Sequence, residues 1–587
     1  MTKEIANNHN EVKQILANVD VEILRENVWK FMDSERDNIS WDKTKGVSCS
    51  FFAYFARKDD IHSIGEMNSL LEKLMDYQLR DYAYQFCHEH WVTIDRMAQS
   101  FGFKELEALV ICDIINLNDV AFAMHQTPQH ITFLAQRILD IQAEDAVLDI
   151  CSGVGDFLTY CYLNGDAKSF TGIEVNEDAI IIAKMRNYFF NDVLDLQQGN
   201  VLLDGAVNVK ADKVFVNAPF GLDVPDYVSY DSRFTGIIGD IPKMRNADWL
   251  FILSAFNVQN TEGKTVVIVP LGTLFKTGKL SKVRDKILET KKLNSVIELP
   301  GGLFRNTAIA VAVLVFSSDN NTVRMVNATD LGSKNGRQNV LSENDIKTIM
   351  ERLEMDVEGH SINVTHDMIK AQESSWLPSR YTLADEMKVE NGVTLGKTMK
   401  HLRMGKMLRP SELNAMTSTE PTLYQYLRVK DINDGTIECG IYISKIKRED
   451  EVAIIHEDEL LITRNSPFKV AVVPALTTTI IANHNTYMIE LDKRKLHPVY
   501  VMLYLQSNQG KKQLEYRATG DRISILSRIA INDIEIPMIP MDEQLKIVKQ
   551  YQALRTELVE LQKQEKALRS RIESIMEGED LHDNHRG

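Results

Sequence analysis

Val147-Leu148-Asp149-Ile150-Cys151-Ser152-Gly153-Val154-Gly155-Asp156-Phe157 is a short apolar run that stops at a carboxylate and breaks into a glycine-rich turn. Glycine has no Cβ, so the chain at Gly153 and Gly155 can adopt conformations closed to other residues and pass close to a ligand. Such a turn between a strand and a helix predicts the ligand-facing edge of a nucleotide-binding sheet. Phe170-Thr171-Gly172-Ile173-Glu174 repeats the design downstream. Its terminal carboxylate follows Gly153 by about 20 residues, where a ribose diol would lie. These two features alone suit a dehydrogenase as well, although the third glycine of GxGxxG is missing.

Outward from this turn, further apolar runs alternate with helical stretches: Ala146–Asp149, Val214–Val216, Thr265–Val269, Val296–Leu299 and Ala310–Phe316. Strands alternating with helices predict an α/β domain over 121–330 with a doubly wound, mostly parallel sheet. Residues 1–120 read as a helical domain, with helical apolar spacing through Val21–Met32 and Met67–Leu79. A polar bridge is expected over 331–390, ending in Trp376-Leu377-Pro378-Ser379-Arg380-Tyr381, and a C-terminal α+β module over 391–540. Over 541–577, Ile547, Tyr551, Leu554, Leu558, Leu561, Leu568, Ile572 and Ile575 recur at spacings of four and three, with Glu565 on the skipped step. That is a coiled-coil-like seam with charged flanks. The tail 578–587 is expected to be disordered.

The 587 residues carry a net charge of −16, which argues against nonspecific coating of nucleic acid. The charge is uneven: residues 391–540 hold 20 Lys and Arg against 17 Asp and Glu, whereas residues 1–120 hold 13 against 21. Any electrostatic contact with DNA is therefore expected in the C-terminal module. Six cysteines without a CxxC pair, a polar N-terminus and the absence of a long apolar run point to a cytoplasmic protein with reduced thiols. Cys87-His88-Glu89-His90 lacks a second ligand pair at zinc spacing, so no metal is expected.

Lys213-Val214-Phe215-Val216 runs directly into Asn217-Ala218-Pro219-Phe220, and this breaks the tie with the dehydrogenase. An adenine N6 amino group is a poor nucleophile because its lone pair is delocalised into the ring. Two acceptors on its hydrogens, the Asn217 side chain and the Ala218 carbonyl, would favour the tetrahedral form that can attack. Pro219 would stiffen the turn, and Phe220 would stack on a base swung out of the duplex.

With these motifs in place, the sequence resembles the modification subunit of type I restriction systems. Gln126-Thr127-Pro128-Gln129, Ala247-Asp248-Trp249, Val269-Pro270-Leu271-Gly272-Thr273-Leu274-Phe275, Glu298-Leu299-Pro300-Gly301-Gly302-Leu303-Phe304 and Asn306-Thr307 are similar to successive blocks of that family. The resemblance implies a Rossmann-like domain that binds S-adenosylmethionine and methylates adenine N6 in double-stranded DNA. It implies cofactor contacts at Thr127, Pro128, Asp149, Gly153, Gly155, Asp156, Phe157, Glu174 and Asn200, with Asn217, Ala218, Pro219 and Phe220 catalytic. Three positions depart from the family pattern. Ala218 replaces a proline, Asn200 stands where relatives carry an adenine-binding Asp, and Asp156 replaces a glycine. Asp156 either reaches the cofactor's amino group or caps the following helix.

The C-terminal region resembles half of a type I specificity subunit. Tyr426-Leu427-Arg428-Val429-Lys430-Asp431-Ile432, Asp458–Arg464, Arg517-Ala518-Thr519-Gly520 with Ile523–Leu526, and Pro540-Met541-Asp542-Glu543-Gln544 carry that likeness. It implies a target recognition domain, with the long helix as spacer and a route to a homodimer. Cytosine N4 methylation, a catalytically silent DNA-binding relative and a separate restriction subunit as partner all stay open at this point.

Overall fold

The computed structural model describes residues 19–577 except 75–76, 112–126, 204–208, 240–245, 277, 305–308, 337, 384–388, 434, 439–440 and 519–524. Gln126, Asn306, Thr307, Thr519, Gly520, Ile523 and the tail 578–587 lie outside the described residues. The chain divides into two compact units, 1–383 and 384–587.

The first unit is built on a nine-stranded sheet. Its strands are β1 (Ala146–Asp149), β2 (Ser169–Glu174), β3 (Leu194–Gln198), β4 (Ala211–Val216), β5 (Gln259–Pro270), β6 (Leu293–Glu298), β7 (Val311–Phe316), β8 (Thr322–Asn327) and β9 (Ser361–Thr365). In space they run β9-β8-β6-β7-β5-β4-β1-β2-β3. Pairing is parallel from β3 through β5, while β7 lies antiparallel between β5 and β6. This is the expected α/β fold. Chain order reverses at β1, which lies between β2 and β4, and ligands of open α/β sheets bind in the crevice such a reversal opens.

Alternation along the strands assigns the two faces. Leu148 joins a buried cluster with Trp249 and Leu250 of helix Asp248–Val258. Val147 joins another with Leu134 and Phe157, from helices Gln129–Leu139 and Asp156–Asn164 on the opposite face. With helices on both sides, the central strands are buried along most of their length, which is why they read as continuous apolar runs.

The N-terminal residues form helices Val21–Ser34, Lys43–Lys58, Ile64–Leu74, Tyr77–Ser100 and Phe103–Ile111. Their core of Phe51, Phe52, Phe55 and Leu71 is continuous with Val154 of the glycine turn and with Ala179, Ile182 and Met185 of helix Glu177–Tyr188. Cys87 lies in this core as well, where burial pushes its thiol up to about 12.

The stretch expected as a polar bridge contributes to the same unit as far as Leu383. β9 pairs with β8, helix Glu343–Glu354 buries Ile346 and Ile349, and Trp376 meets Trp249 edge-on at 5.5 Å. Its polar composition belongs to amphipathic elements that turn their charged sides outward at the sheet edge.

The second unit contains two four-stranded sheets, with Leu460–Thr463 central in one and Tyr424–Leu427 in the other. Helix Met541–Glu577, about 55 Å long at 1.5 Å per residue, leaves this unit from a buried anchor. The Gln544 side chain donates to the carbonyls of Lys495 and Ile539 and accepts from the His497 N–H. Val548 is buried beside it, whereas Leu554, Leu558, Leu561, Leu568 and Ile572 are exposed. Among the described residues, no helix is long and apolar enough to cross a membrane.

Candidate active site

β1, β2 and β4 run parallel and end at one edge of the sheet, which gathers their terminal residues around a cavity of about 450 Å³. Thr127, Asp149, Gly153, Asp156, Phe157, Glu174, Asn200, Asn217 and Pro219 line it. Pro128, Gly155, Ala218 and Phe220 are adjacent in sequence but do not form its wall.

The glycine turn is held in shape from within. Gly153 and Gly155 have φ of 53° and 81°, so both need the left-handed freedom of glycine. The Glu174 carboxylate accepts from the Gly153 N–H at 2.8 Å and from the Asn176 N–H at 2.8 Å. It thus fixes the turn at the same time as it lines the cavity. Asp149 accepts from the Cys151 N–H at 3.0 Å, yet burial and the neighbouring Glu174 and Asp156 push its carboxyl up to about 8.

Asp156 does not cap the helix that follows it, and it lines the cavity. It opens helix Asp156–Asn164, whose cap is Gly155, and accepts from the Arg186 guanidinium at 2.6 Å. Arg186 is 1% exposed and also donates to the carbonyls of Val110 and Val154, both at 3.0 Å. Phe157 stacks on Phe215 with ring centroids 4.1 Å apart, so its ring belongs to the core as well as to the wall. Asn200 accepts from the Leu202 N–H at 3.0 Å and shapes the turn after β3.

At the end of β4, Asn217 is 7% exposed and its side-chain nitrogen donates to Thr127 Oγ1 at 2.8 Å. Its oxygen has no hydrogen-bond partner among the described residues. Two groups 90 positions apart are thereby joined: the residue before Pro128, which caps helix Gln129–Leu139, and the residue that opens the Asn-Ala-Pro-Phe turn. Ala218 packs on the sheet core. Phe220 is half-buried and meets Phe304 edge-on at 5.4 Å, outside the cavity wall.

Three contributors were not assigned from sequence. Asp248 accepts from the Gly221 N–H at 3.0 Å and so ties down the loop that follows Phe220. Leu222–Pro225 and Val228 line the cavity beyond that loop. Lys43 reaches the same wall from the N-terminal helices. Only Asp248 carried a signal, lying inside the Ala247-Asp248-Trp249 block.

Against known proteins, residues 123–390 match the N-6 DNA Methylase family. The type I restriction enzyme MjaVII methylase subunit of Methanocaldococcus jannaschii is 27% identical over 291 residues, 45% of this chain and 50% of that protein. The MpnII methylase subunit of Mycoplasma pneumoniae is 24% identical over 38% of this chain and 46% of its own length. The chain thus spans about half the length of these curated relatives. Among solved structures, a type I restriction-modification methyltransferase subunit from Streptococcus thermophilus is 15% identical with a TM-score of 0.48, covering 62% of this chain and 99% of that one. Residues 123–390 are thus similar to the N-6 DNA Methylase family, and the match takes in every residue placed at the cavity's strand ends.

Proposed function

We propose that the chain is a site-specific DNA methyltransferase that moves a methyl group from S-adenosylmethionine to N6 of an adenine turned out of the duplex. The observation that carries this reading is Asn217, held at the cavity by Thr127 through its amide nitrogen while its oxygen is left to accept. The cavity fits the cofactor's chemistry. Asp149, Asp156, Glu174 and Asp223 suit a ligand with cationic groups, and Ile173, Leu202, Val228 and Phe251 suit a flat heterocycle. When bound, S-adenosylmethionine supplies an electrophilic methyl group on a sulfonium.

The chain's own part is to make the amino nitrogen a nucleophile. Asn217 Oδ1 and the Ala218 carbonyl accept its two hydrogens and favour the tetrahedral nitrogen whose lone pair can attack. Pro219 and the Asp248–Gly221 bond hold these acceptors in place beforehand, so little reorganisation is left for the reaction. Glu174, which lines the cavity, would accept from the hydroxyls of the ribose. Phe220, braced by Phe304, offers its ring to the extruded base. DNA from cells expressing the chain, read by modification-sensitive long-read sequencing, tests this directly. Unmodified adenine in every context would overturn the reading.

Asp149 gives the cofactor step a pH signature. With its carboxyl pushed up to about 8, it holds a proton at neutral pH in the free protein. A cationic ligand favours the ionised form, so binding releases that proton. Affinity for S-adenosylmethionine is expected to rise with pH by up to about ten-fold per unit below pH 8 and to level off above it. Calorimetry at pH 6, 7 and 8 in buffers of different ionisation enthalpy measures both quantities. A dissociation constant that stays flat from pH 6 to 8 would contradict the assignment.

The C-terminal module over 391–540 is proposed as the DNA reader, on its positive balance and its likeness to half a specificity subunit. The MjaVII and MpnII relatives are named methylase subunits, and by analogy any nuclease would sit on a separate chain. One reader specifies only a half-site, and the exposed stripe from Leu554 to Ile572 gives two copies a surface on which to pair. Two-fold pairing would present identical readers to a split palindrome. Light scattering at micromolar concentration is expected to give a dimer for the wild type and a monomer for Leu558→Asp/Leu561→Asp. A monomeric wild type, with and without DNA, would rule the pairing out.

A further inference from the structure

Arg464 and Leu526 close two of the stretches that carry the likeness to a specificity subunit, and the second unit brings them together. The Leu526 N–H donates to the Arg464 carbonyl at 2.9 Å, and Asn465 forms an antiparallel bridge with Ile525. The Arg464 N–H donates to the Asn485 carbonyl at 2.7 Å, just before strand Thr486–Leu491. From that strand the Tyr487 hydroxyl donates to the Leu526 carbonyl at 2.9 Å. Arg464, His484 and Arg528 are thus gathered around Tyr487 by bonds that leave their own side chains unused.

Other basic residues of this unit meet carboxylates: Arg403 reaches Glu459, Lys406 reaches Asp450 and Arg428 reaches Asp431. Among the described residues, neither Arg464 nor Arg528 forms an ion pair or a side-chain hydrogen bond. Arg464 is half-buried, and its Nε and the Nδ1 of His484 are buried without a partner among the described residues. Arg528 is exposed. Burial and the Arg464 charge hold the His484 ring below its ordinary range, so the imidazole is neutral at pH 7. Burial pushes the Tyr487 hydroxyl up, against the pull of the Arg464 and Arg528 charges. A guanidinium drawn partly out of water with no carboxylate beside it is suited to an anion from outside the chain.

The rigid fork of a guanidinium matches phosphate oxygens, and residues 391–540 hold 20 Lys and Arg against 17 Asp and Glu in a chain of net charge −16. A local excess of that kind suits a polyanion, and an exposed second arginine beside the held one suits a ligand that repeats its charge. We propose that Arg464 and Arg528 bind the phosphodiester backbone of duplex DNA. Arg464 supplies the fixed fork and Arg528 the second charge at the surface. This rests on the reading of the C-terminal module as the DNA reader. It gives that module a contact that positions the duplex without reading its sequence.

Fluorescence anisotropy of the full chain on two labelled duplexes, one holding the recovered target and one unrelated, tests it across a range of salt concentrations. Arg464→Met is expected to weaken both duplexes equally, by about ten-fold or more at low salt, the range of a lost charge-assisted hydrogen bond. The slope of log affinity against log salt should fall by about one. Arg464→Lys keeps the charge without the fork, so it should keep the slope and recover part of the affinity. Wild-type binding by Arg464→Met, or a loss confined to the target duplex, would overturn the proposal. Should Arg464→Met fold poorly, Arg528→Gln at its exposed position still decides. It should lower the slope by about one on both duplexes, and an unchanged slope would overturn the proposal. Inorganic phosphate at millimolar concentration, with ionic strength held constant, is expected to leave DNA binding unchanged. Strong competition would make this a site for free phosphate instead. A wild type that binds neither duplex would remove the reader reading, and this contact with it.

Discussion

Asn217→Ala is expected to lower turnover by about 10²–10³-fold, the usual loss when one pre-aligned polar group is withdrawn from a developing charge. Affinity for S-adenosylmethionine should stay within a few-fold. The asymmetry follows from where the side chain is held. Its nitrogen is engaged by Thr127, and the oxygen that remains is the group assigned to the target amine. Thr127→Val removes the anchor but not the acceptor. It should therefore lie between wild type and Asn217→Ala in turnover, with the loss in kcat rather than in KM for DNA. Single-turnover methylation of a duplex containing the recovered target separates these terms. Wild-type turnover in Asn217→Ala would remove the catalytic assignment, and a cofactor dissociation constant raised in proportion to the lost rate would move Asn217 to the cofactor.

Asp156→Ala is expected to cost about 3–5 kcal/mol of stability in the first unit, because it strands a guanidinium that is 1% exposed. Arg186 would keep the Val110 and Val154 carbonyls but lose its only carboxylate among the partners described for it. Asp156→Asn keeps an acceptor and should recover part of the loss. Differential scanning calorimetry of the three proteins measures this, the transition of the second unit serving as internal reference. An unchanged first transition together with lost cofactor binding would show that Asp156 is a ligand of the cofactor rather than a partner of the protein.

What could be read in the sequence and what could not differ in range. The turn at Gly153 and Gly155, the carboxylates of Asp149 and Glu174 and the Asn217 turn are local demands of backbone and chemistry, written within a few residues. Together they located the cavity and the parallel sheet. The edge strand Leu194–Gln198 alternates polar residues with leucine over a short span and gave no clear run. Arg186 and Lys43 are single charged residues on helices, where a solvated surface position has the same appearance. Only packing shows that one is buried under the glycine turn and the other lines the cavity. Asp156 shows the same limit. Sequence offered it a ligand or a cap, and its partner lies 30 residues away on the next helix.

Arg186 also bears on how this protein can be divided. A fragment beginning near residue 121 would retain the whole sheet and every residue assigned to methyl transfer. It would nevertheless take the Val110 carbonyl from a buried guanidinium and strip the apolar cover from Val154, Ile182 and Met185. Composition marks a seam near residue 120, but the hydrogen bonds and the hydrophobic core cross it without interruption. The helical segment is thus no detachable appendage. Chimaeras that exchange the sheet between related chains should carry the helices with it, and a minimal folded fragment of the first unit begins before them.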